Sequence, residues 1–429
     1  MSEIKENFFE NNALFKFDTY SCDMVTDVIH TSPNEEPSYN YKISANSLKP
    51  ITLAYAPKQG LVRINKITGS IEESNILGRF ISLCDKPEKE LIKFMNDNGF
   101  IFPVEIDNYE TIKKEELLNI LTRLKLTVEL MSNISSIKKD YHKIVLSIIN
   151  LLFYRPVEFT TDSMQSTYTT HHYDYVDLLK SSGGTLSDKR KQQEFNSDVY
   201  TIENDTIFPN YEINIADYND IICSAIPSIF KNIMCLYVGL DSKNTIERKI
   251  TDVLYHSLKE CKSLESFGNT KNSLKNISDN FQKTIIDVAK YIIGEEINSN
   301  LNRIYPVYNM DKMTPSWKID DLLSALYFSI FYLNSELELY RQCANPRCSK
   351  WFLVRTTTTK KKYCSQECCN RVTQDKYRKN KRIEEKKKKS VWARHTDFFY
   401  ILGLGTSPLP KTASIHSAKA IFSFIGFPE

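Results

Sequence analysis

The chain has 429 residues, of which 41% are hydrophobic and 25% are charged, as in ordinary folded proteins. This length predicts two or three domains, and the composition excludes a fibrous or wholly disordered chain. The formal net charge of +3 conceals an uneven distribution, because residues 341–390 hold 17 basic and 4 acidic side chains, a local charge of +13. We therefore expect a strongly basic segment attached to an acidic body.

Two further features of the sequence bear on cellular location. The N-terminus lacks the basic stretch and apolar run of a signal peptide, and no segment approaches the about 18 apolar residues of a membrane helix. These features predict a soluble, cytoplasmic protein that does not bind a membrane. Its cysteines are then expected to be reduced, with five of them dispersed as buried core thiols. These five are Cys22, Cys84, Cys223, Cys235 and Cys261.

The predicted elements begin with strands and continue with helices. Residues 1–80 contain short apolar or alternating runs, at 50–55 and 60–67, which predict a small hairpin or meander. Residues 81–340 have apolar residues at helical spacing and are predicted to form a helical body. Its predicted helices lie at 87–99, 117–131, 141–153, 221–235, 246–264, 274–293 and 319–340. The last is apolar on nearly all sides and is predicted to be the buried central helix of a second lobe.

Two segments fit this pattern poorly. Residues 157–217 are polar and rich in turn residues, which indicates an inserted loop or an inter-lobe connection. His171, His172 and Asp174 could suggest a metal site there, but no second ligand pair accompanies them and a solvated loop is favoured. Residues 391–429 form an apolar tail of unknown role that could dock on the body or form a dimer contact. The whole pattern predicts a mainly α fold with a small N-terminal β element (α+β).

The remaining five cysteines lie between positions 343 and 369 and suggest a metal site. Four of them form two close pairs separated by a β-length spacer: Cys343, Cys348, Cys364 and Cys368. This arrangement can place four thiolates at the corners of one tetrahedron, as structural zinc requires. Trp351 and Phe352 would supply apolar cover. We expect one structural Zn²⁺ per chain and no catalytic zinc, because catalytic sites keep a water position and usually include histidine or carboxylate ligands.

The segment CANPRCSKWF, followed by YCSQECCNR and a Tyr-Arg-Lys run, resembles the CGNR-type zinc finger of bacterial putative stress-induced transcription regulators. The resemblance is specific over residues 341–382 and weaker upstream. It implies a treble-clef or ribbon-like finger followed by a basic helix. It also implies that Cys368, rather than the alternative Cys369, is the fourth ligand. Cys369 stands where the family has glycine, so a left-handed backbone there would be strained.

Basic residues surround the last two cysteines and predict contacts with nucleic acid. The candidate residues are Lys360, Lys361, Lys362, Arg371, Lys376, Arg378, Lys379, Lys381 and Arg382. An alternative is that these lysines form only a solvated face, and the glutamates at 384 and 385 make the distal part the most doubtful. The expected segments are thus a strand-rich region at 1–80, a body at 81–340, a finger with basic helix at 341–390, and the tail at 391–429.

These observations predict a DNA-binding transcription regulator of bacterial origin, with duplex DNA as partner and a helical body that senses a signal or forms a homodimer. The choice of DNA over RNA follows from the resemblance and from the lack of clustered aromatic residues for base stacking. The alternative is a zinc-stabilised interaction component of a stress or defence system. We expect no enzyme, since phosphate-binding, dinucleotide-binding, zinc-protease and serine-hydrolase motifs are all absent from the sequence.

Overall fold

A computed structural model describes most of the chain outside one long central segment and the C-terminal tail. It covers residues 13–153, except 30–37, 57–58, 66–67 and 105–108. It also covers residues 200–203, 206–209, 230, 233 and 237. The remaining described range is 245–401, except 262, 271–273, 275–276, 311–312, 320, 334–337 and 356–360.

A five-stranded antiparallel sheet occupies the N-terminal part. Its strands are β1 (Phe15–Ile29), β2 (Ser38–Ala56), β3 (Gly60–Ile64), β4 (Ile71–Glu73) and β5 (Glu110–Lys113). β2 pairs with β1, β3 and β5, while β4 pairs with β3. The register between β1 and β2 shifts at Tyr20 and Ser21. Because such a bulge reverses the alternation of side chains, the buried positions change from odd (Phe15, Phe17) to even (Cys22, Met24).

Eight helices precede the four-cysteine segment within the described residues. They are α1 (Ile76–Ile81), α2 (Glu88–Asn98), α3 (Lys114–Ile134), α4 (Tyr141–Phe153), α5 (Ile246–Leu258), α6 (Leu264–Asn269), α7 (Asp279–Ser299) and α8 (Leu322–Phe331). A first hydrophobic core joins the sheet to α1, α2, α3 and α8. A second hydrophobic core joins helices α4, α5, α6 and α7 to the C-terminal end of α3. The buried pair Arg123 and Glu296 connects α3 to α7. None of the described helices has the length and apolar composition that crossing a bilayer requires.

The prediction of a mainly α fold with a small β element is wrong. β1 and β2 have 15 and 19 residues, and further strands form separate antiparallel pairs. The additional strands are β6 (Tyr200–Glu203) with β7 (Thr206–Pro209), β8 (Ile304–Asn309) with β9 (Thr314–Ile319), and β10 (Glu338–Gln342) with β11 (Trp351–Arg355). The fold is therefore mixed α and β. Strands form through pairing with other segments, so the pattern of a single segment underestimates them.

The helix predicted at 319–340 is also shorter than expected. α8 ends at Phe331, and residues from Glu338 onward belong to β10. The side chains from Leu322 to Ile330 are all buried, as the apolar run predicted. However, they lie in the first core with the N-terminal sheet rather than in a separate second lobe. Tyr340 lies opposite Leu353 on the neighbouring strand. It therefore belongs to a hairpin and not to the helix that its apolar pattern predicts.

Several sequence predictions fall partly or wholly outside the described residues. Of the dispersed cysteines, Cys22 is buried while Cys84 and Cys261 are only partly buried. Three further predictions concern residues outside the described part of the chain. They are the buried cysteines at 223 and 235, the histidine pair at 171–172 with Asp174, and most of the helix at 221–235. Within the segment 157–217, only β6 and β7 are described. The tail is described only as far as residue 401.

The chain divides into two compact units, Met1–Cys364 and Ser365–Glu429. The described part of the second unit is one helix, α9 (Gln366–Ile401), of 36 residues. The hairpin of the four-cysteine segment, β10 and β11, belongs to the first unit. The domain boundaries expected from the sequence stay a prediction.

Candidate metal centre

The first cysteine pair lies in a tight turn between β10 and β11. The backbone N–H of Cys343 donates to the carbonyl of Lys350 at 2.8 Å, which closes the hairpin just above its last strand pair. Inside the turn, the carbonyl of Asn345 accepts from the N–H of Cys348 at 2.9 Å, and its side-chain oxygen accepts from the N–H of Arg347 at 3.1 Å. An asparagine that bonds its own turn is typical of such positions. The turn directs Cys343 and Cys348 toward one point.

The second cysteine pair spans the beginning of α9. The carbonyl of Lys362 accepts from the N–H of Ala344 at 2.9 Å, so the segment before Cys364 lies beside the first turn. The N–H of Cys364 itself is 3.5 Å from the sulfur of Cys343. Ser365 precedes α9, and its hydroxyl accepts from the N–H of Cys368 at 3.3 Å, as an N-cap serine does. This cap places Cys368 in the first turn of the helix.

The four sulfur atoms have the spacing of a tetrahedral zinc site. All four lie within 4.8 Å of one another, and the sulfurs of Cys348 and Cys364 are 3.6 Å apart. A tetrahedron with Zn–S bonds of about 2.3 Å has sulfur–sulfur edges of about 3.8 Å. Cys343 and Cys368 are buried, and the other two are partly buried. These cysteines form no disulfide. Four thiols at this spacing fit one structural Zn²⁺, and they match the predicted ligands.

Cys369 is not part of the cluster. It lies in α9, where its N–H donates to the carbonyl of Ser365 at 3.2 Å. Among the described non-glycine residues, positive φ angles occur at Asn75, Met313 and Ser349, and not at Cys369. The strain expected from replacing the family's glycine by cysteine is therefore absent, because the backbone at this position is helical and any residue adopts it.

The hairpin is fixed to the first core by contacts that sequence reasoning missed. The N–H of Trp351 donates to the hydroxyl of Ser82 at 2.9 Å, and its carbonyl accepts from the side-chain amide of Asn75 at 2.8 Å. The ammonium of Lys86 donates to the carbonyl of Cys348 at 3.1 Å, which brings a positive charge to the cysteine turn. The indole of Trp351 is buried in the first core. No sequence motif near residues 75–86 signals this role.

The predicted nucleic-acid residues are exposed wherever they are described. Lys361 and Lys362 are exposed just before Cys364, while Lys360 lies outside the described residues. On α9 the exposed predicted residues are Arg371, Lys376, Arg378, Lys379, Lys381 and Arg382. Arg371 forms an ion pair with Glu367 one turn earlier. Its guanidinium is thus engaged within the helix. Whether these side chains contact nucleic acid stays a prediction.

A family model matches part of the chain. Residues 340–381 match the family model of the CGNR zinc finger, which confirms the resemblance of the segments CANPRCSKWF and YCSQECCNR to that finger. Neither the comparison with curated proteins nor that with solved structures gave a match. The matched segment runs from β10 into α9 and contains all four clustered cysteines. Residues 340–381 are therefore a CGNR-type zinc finger, with one structural zinc site at Cys343, Cys348, Cys364 and Cys368.

Proposed function

We propose that this protein binds duplex DNA through its zinc finger and acts as a bacterial transcription regulator in the cytoplasm. The observation that carries the proposal is the placement of exposed basic side chains on α9 directly after the fourth zinc ligand. With one ligand in its first turn, the helix would be anchored at its N-terminal end by the metal. A rigid anchor reduces the entropy lost when the following side chains contact phosphates.

Electrostatics supports a polyanion as the partner. The exposed basic residues on α9 extend to Lys387, whereas its exposed acidic residues in the same range are Glu367, Asp375, Glu384 and Glu385. A helix with such an excess of positive charge attracts the phosphate backbone and releases its counterions on binding. The remainder of the protein, which is acidic overall, would carry sensing or dimerisation rather than DNA contact. No enzymatic role is proposed.

The proposal is tested by comparing two charge-reducing variants of the full-length, zinc-loaded chain. One replaces Arg371, Arg378 and Arg382 by alanine, and the other replaces the four lysines at 386–389. We expect the arginine variant to lose far more affinity for duplex DNA, although it removes fewer charges, because its residues lie closer to the anchored end of the helix. Zinc content must be equal in both preparations, since Arg371 adjoins the cluster.

Undiminished binding by the zinc-loaded arginine variant would exclude α9 as the contact element. If even the unaltered chain retains no duplex at low salt, the protein is instead a zinc-stabilised interaction component. The exposed apolar side chains of the β8–β9 hairpin, such as Tyr308 and Met313, are compatible with that alternative.

A further inference from the structure

Arginine and lysine are distributed unevenly around α9. Arg371, Arg378 and Arg382 are separated by seven and four residues, so they share one face of a helix with about 3.6 residues per turn. The lysines lie on the flanks of this face and on the opposite side of the helix: Lys376, Lys379, Lys381, Lys386 and Lys387. The helix therefore has an arginine face that Asp375 and Glu385 border directly, with lysines farther out on both sides.

Two of these arginines have guanidinium groups that are open to a ligand. Arg371 pairs with Glu367, but Arg378 and Arg382 are exposed, and within the described part of the chain no ion pair joins either of them to an acidic side chain. Asp375 and Glu385 are the acidic groups bordering the same face. An arginine presents a planar fork of donors that matches two acceptors at once, whereas lysine acts as a point charge.

The exposure of the helix fits a groove rather than a flat surface. Every side chain from Thr373 to Lys387 is exposed, including the large apolar ones of Tyr377 and Ile383. A helix with side chains is about 10–12 Å across, and the major groove of B-form DNA is about 12 Å wide. In A-form RNA the corresponding groove is too narrow for side chains to read. A helix exposed on all sides can present one face to the groove floor and both flanks to its phosphate walls.

We propose that Arg378 and Arg382 recognise guanine bases in the major groove of duplex DNA, while the flanking lysines contact phosphates. This inference rests on the proposed DNA-binding function and adds base specificity to it. Guanine offers two acceptors, N7 and O6, in the major groove, and the arginine fork binds them together. Lysine can also donate to these two acceptors, so replacement of the arginines by alanine is the change that removes the contact.

The test uses a duplex enriched from a random 20-base-pair pool by the full-length, zinc-loaded chain. The same duplex is also made with 7-deazaguanine at every guanine, which removes the N7 acceptor and leaves base pairing and phosphate charge unchanged. We expect the replacement to weaken binding by about tenfold or more, since a paired arginine–guanine contact discriminates at that level. The variant R378A/R382A, which lacks both guanidinium groups, should bind the two duplexes equally.

The matched control is K379A/K386A, which removes the same number of charges from the flanks and should keep the wild-type preference. Equal binding of the two duplexes by the wild-type chain would overturn the inference, as would a preference retained by R378A/R382A or an enriched duplex without guanine. In each of these outcomes the protein still binds DNA, so the proposed function survives. Absence of any duplex binding at low salt would instead overturn the proposed function and this inference with it.

Discussion

The side-chain amide of Asn75 donates a hydrogen bond of 2.8 Å to the backbone carbonyl of Trp351, a residue 276 positions later in the chain. Ser82, at the end of α1, completes the attachment by accepting from the N–H of Trp351. The first half of the zinc finger is thus bonded to the N-terminal core at the strand that follows the cysteine turn. The positioning of Cys343 and Cys348 is therefore expected to depend on the folding of this core.

Close packing at this contact makes Gly78 a sensitive position. A Cβ atom at residue 78 would lie 2.6 Å from the carbonyl oxygen of Trp351 and would also collide with the side chain of Asn75. We expect Gly78→Ala to lower the free energy of unfolding by about 1–3 kcal/mol, as overpacking does, measured by urea denaturation. The control is Gly294→Ala in α7, where a Cβ atom meets nothing within 4 Å. That change should stabilise the protein by about 0.4–1 kcal/mol, and equal effects of the two would contradict the packing argument.

Replacement of any of the four clustered cysteines by serine should abolish zinc binding. Structural zinc contributes about 10–16 kcal/mol in small fingers, so loss of one thiolate should release the metal and unfold the finger locally. Cys369→Ser is the matched control, because it changes a neighbouring thiol that lies outside the cluster. Zinc content per chain, measured by elemental analysis, should be close to one for this control and near zero for the others. Retained zinc in Cys368→Ser would contradict the ligand assignment.

Local patterns predicted the helices well and the strands poorly. The helices from Glu88 to Asn98 and from Tyr141 to Phe153 were predicted because their apolar residues recur along one continuous segment. The β8–β9 hairpin was missed because each strand contains a proline, Pro306 or Pro315, which argues against a strand in isolation. β10 was missed because its pairing with β11 is not encoded in its own sequence, which continues the apolar pattern of α8.

The metal site was predictable because its chemistry is local. The spacing of the cysteines from 343 to 369 predicts a four-thiolate site, and the family resemblance selects Cys368 over Cys369 as the fourth ligand. The residues that hold the turn against the core could not be predicted in this way. Asn75, Ser82 and Lys86 lie more than 250 positions before the cysteines they support, and only the fold brings them together.

Hydrogen exchange can locate the DNA contact within the chain. Within the described part of the chain, the side chains of residues 373–387 are all exposed, so packing protects that stretch of α9 little. Its amides should exchange faster than those of the fully buried α8, because exchange follows local opening. Addition of duplex DNA should slow exchange in α9 and leave α8 unchanged. Binding that leaves exchange in α9 unaltered would place the contact elsewhere.

His256 should make stability depend on pH. Burial lowers the pKa of His256, with Lys259 and Arg248 acting in the same direction and Asp252 opposing them. A histidine whose folded pKa lies below its unfolded value of about 6.5 stabilises the protein above that pH. This stability is lost as the pH falls through the folded pKa.

The measurement is the free energy of unfolding of wild-type and His256→Gln proteins from about pH 8 to pH 5. We expect the wild-type protein to lose more stability than the variant as the pH decreases. The difference between the two curves isolates His256 from the protonation of the zinc thiolates, which affects both proteins equally. Parallel curves would contradict the prediction.

DNA affinity as a function of salt tests the central claim most directly. Fluorescence anisotropy of a labelled 20-base-pair duplex with the full-length, zinc-loaded chain gives this dependence between 50 and 300 mM salt. If α9 engages about five to eight phosphates, log K should fall against log[salt] with a slope of about −5 to −7. Absence of binding at the lowest salt concentration, or a slope near zero, would contradict the account.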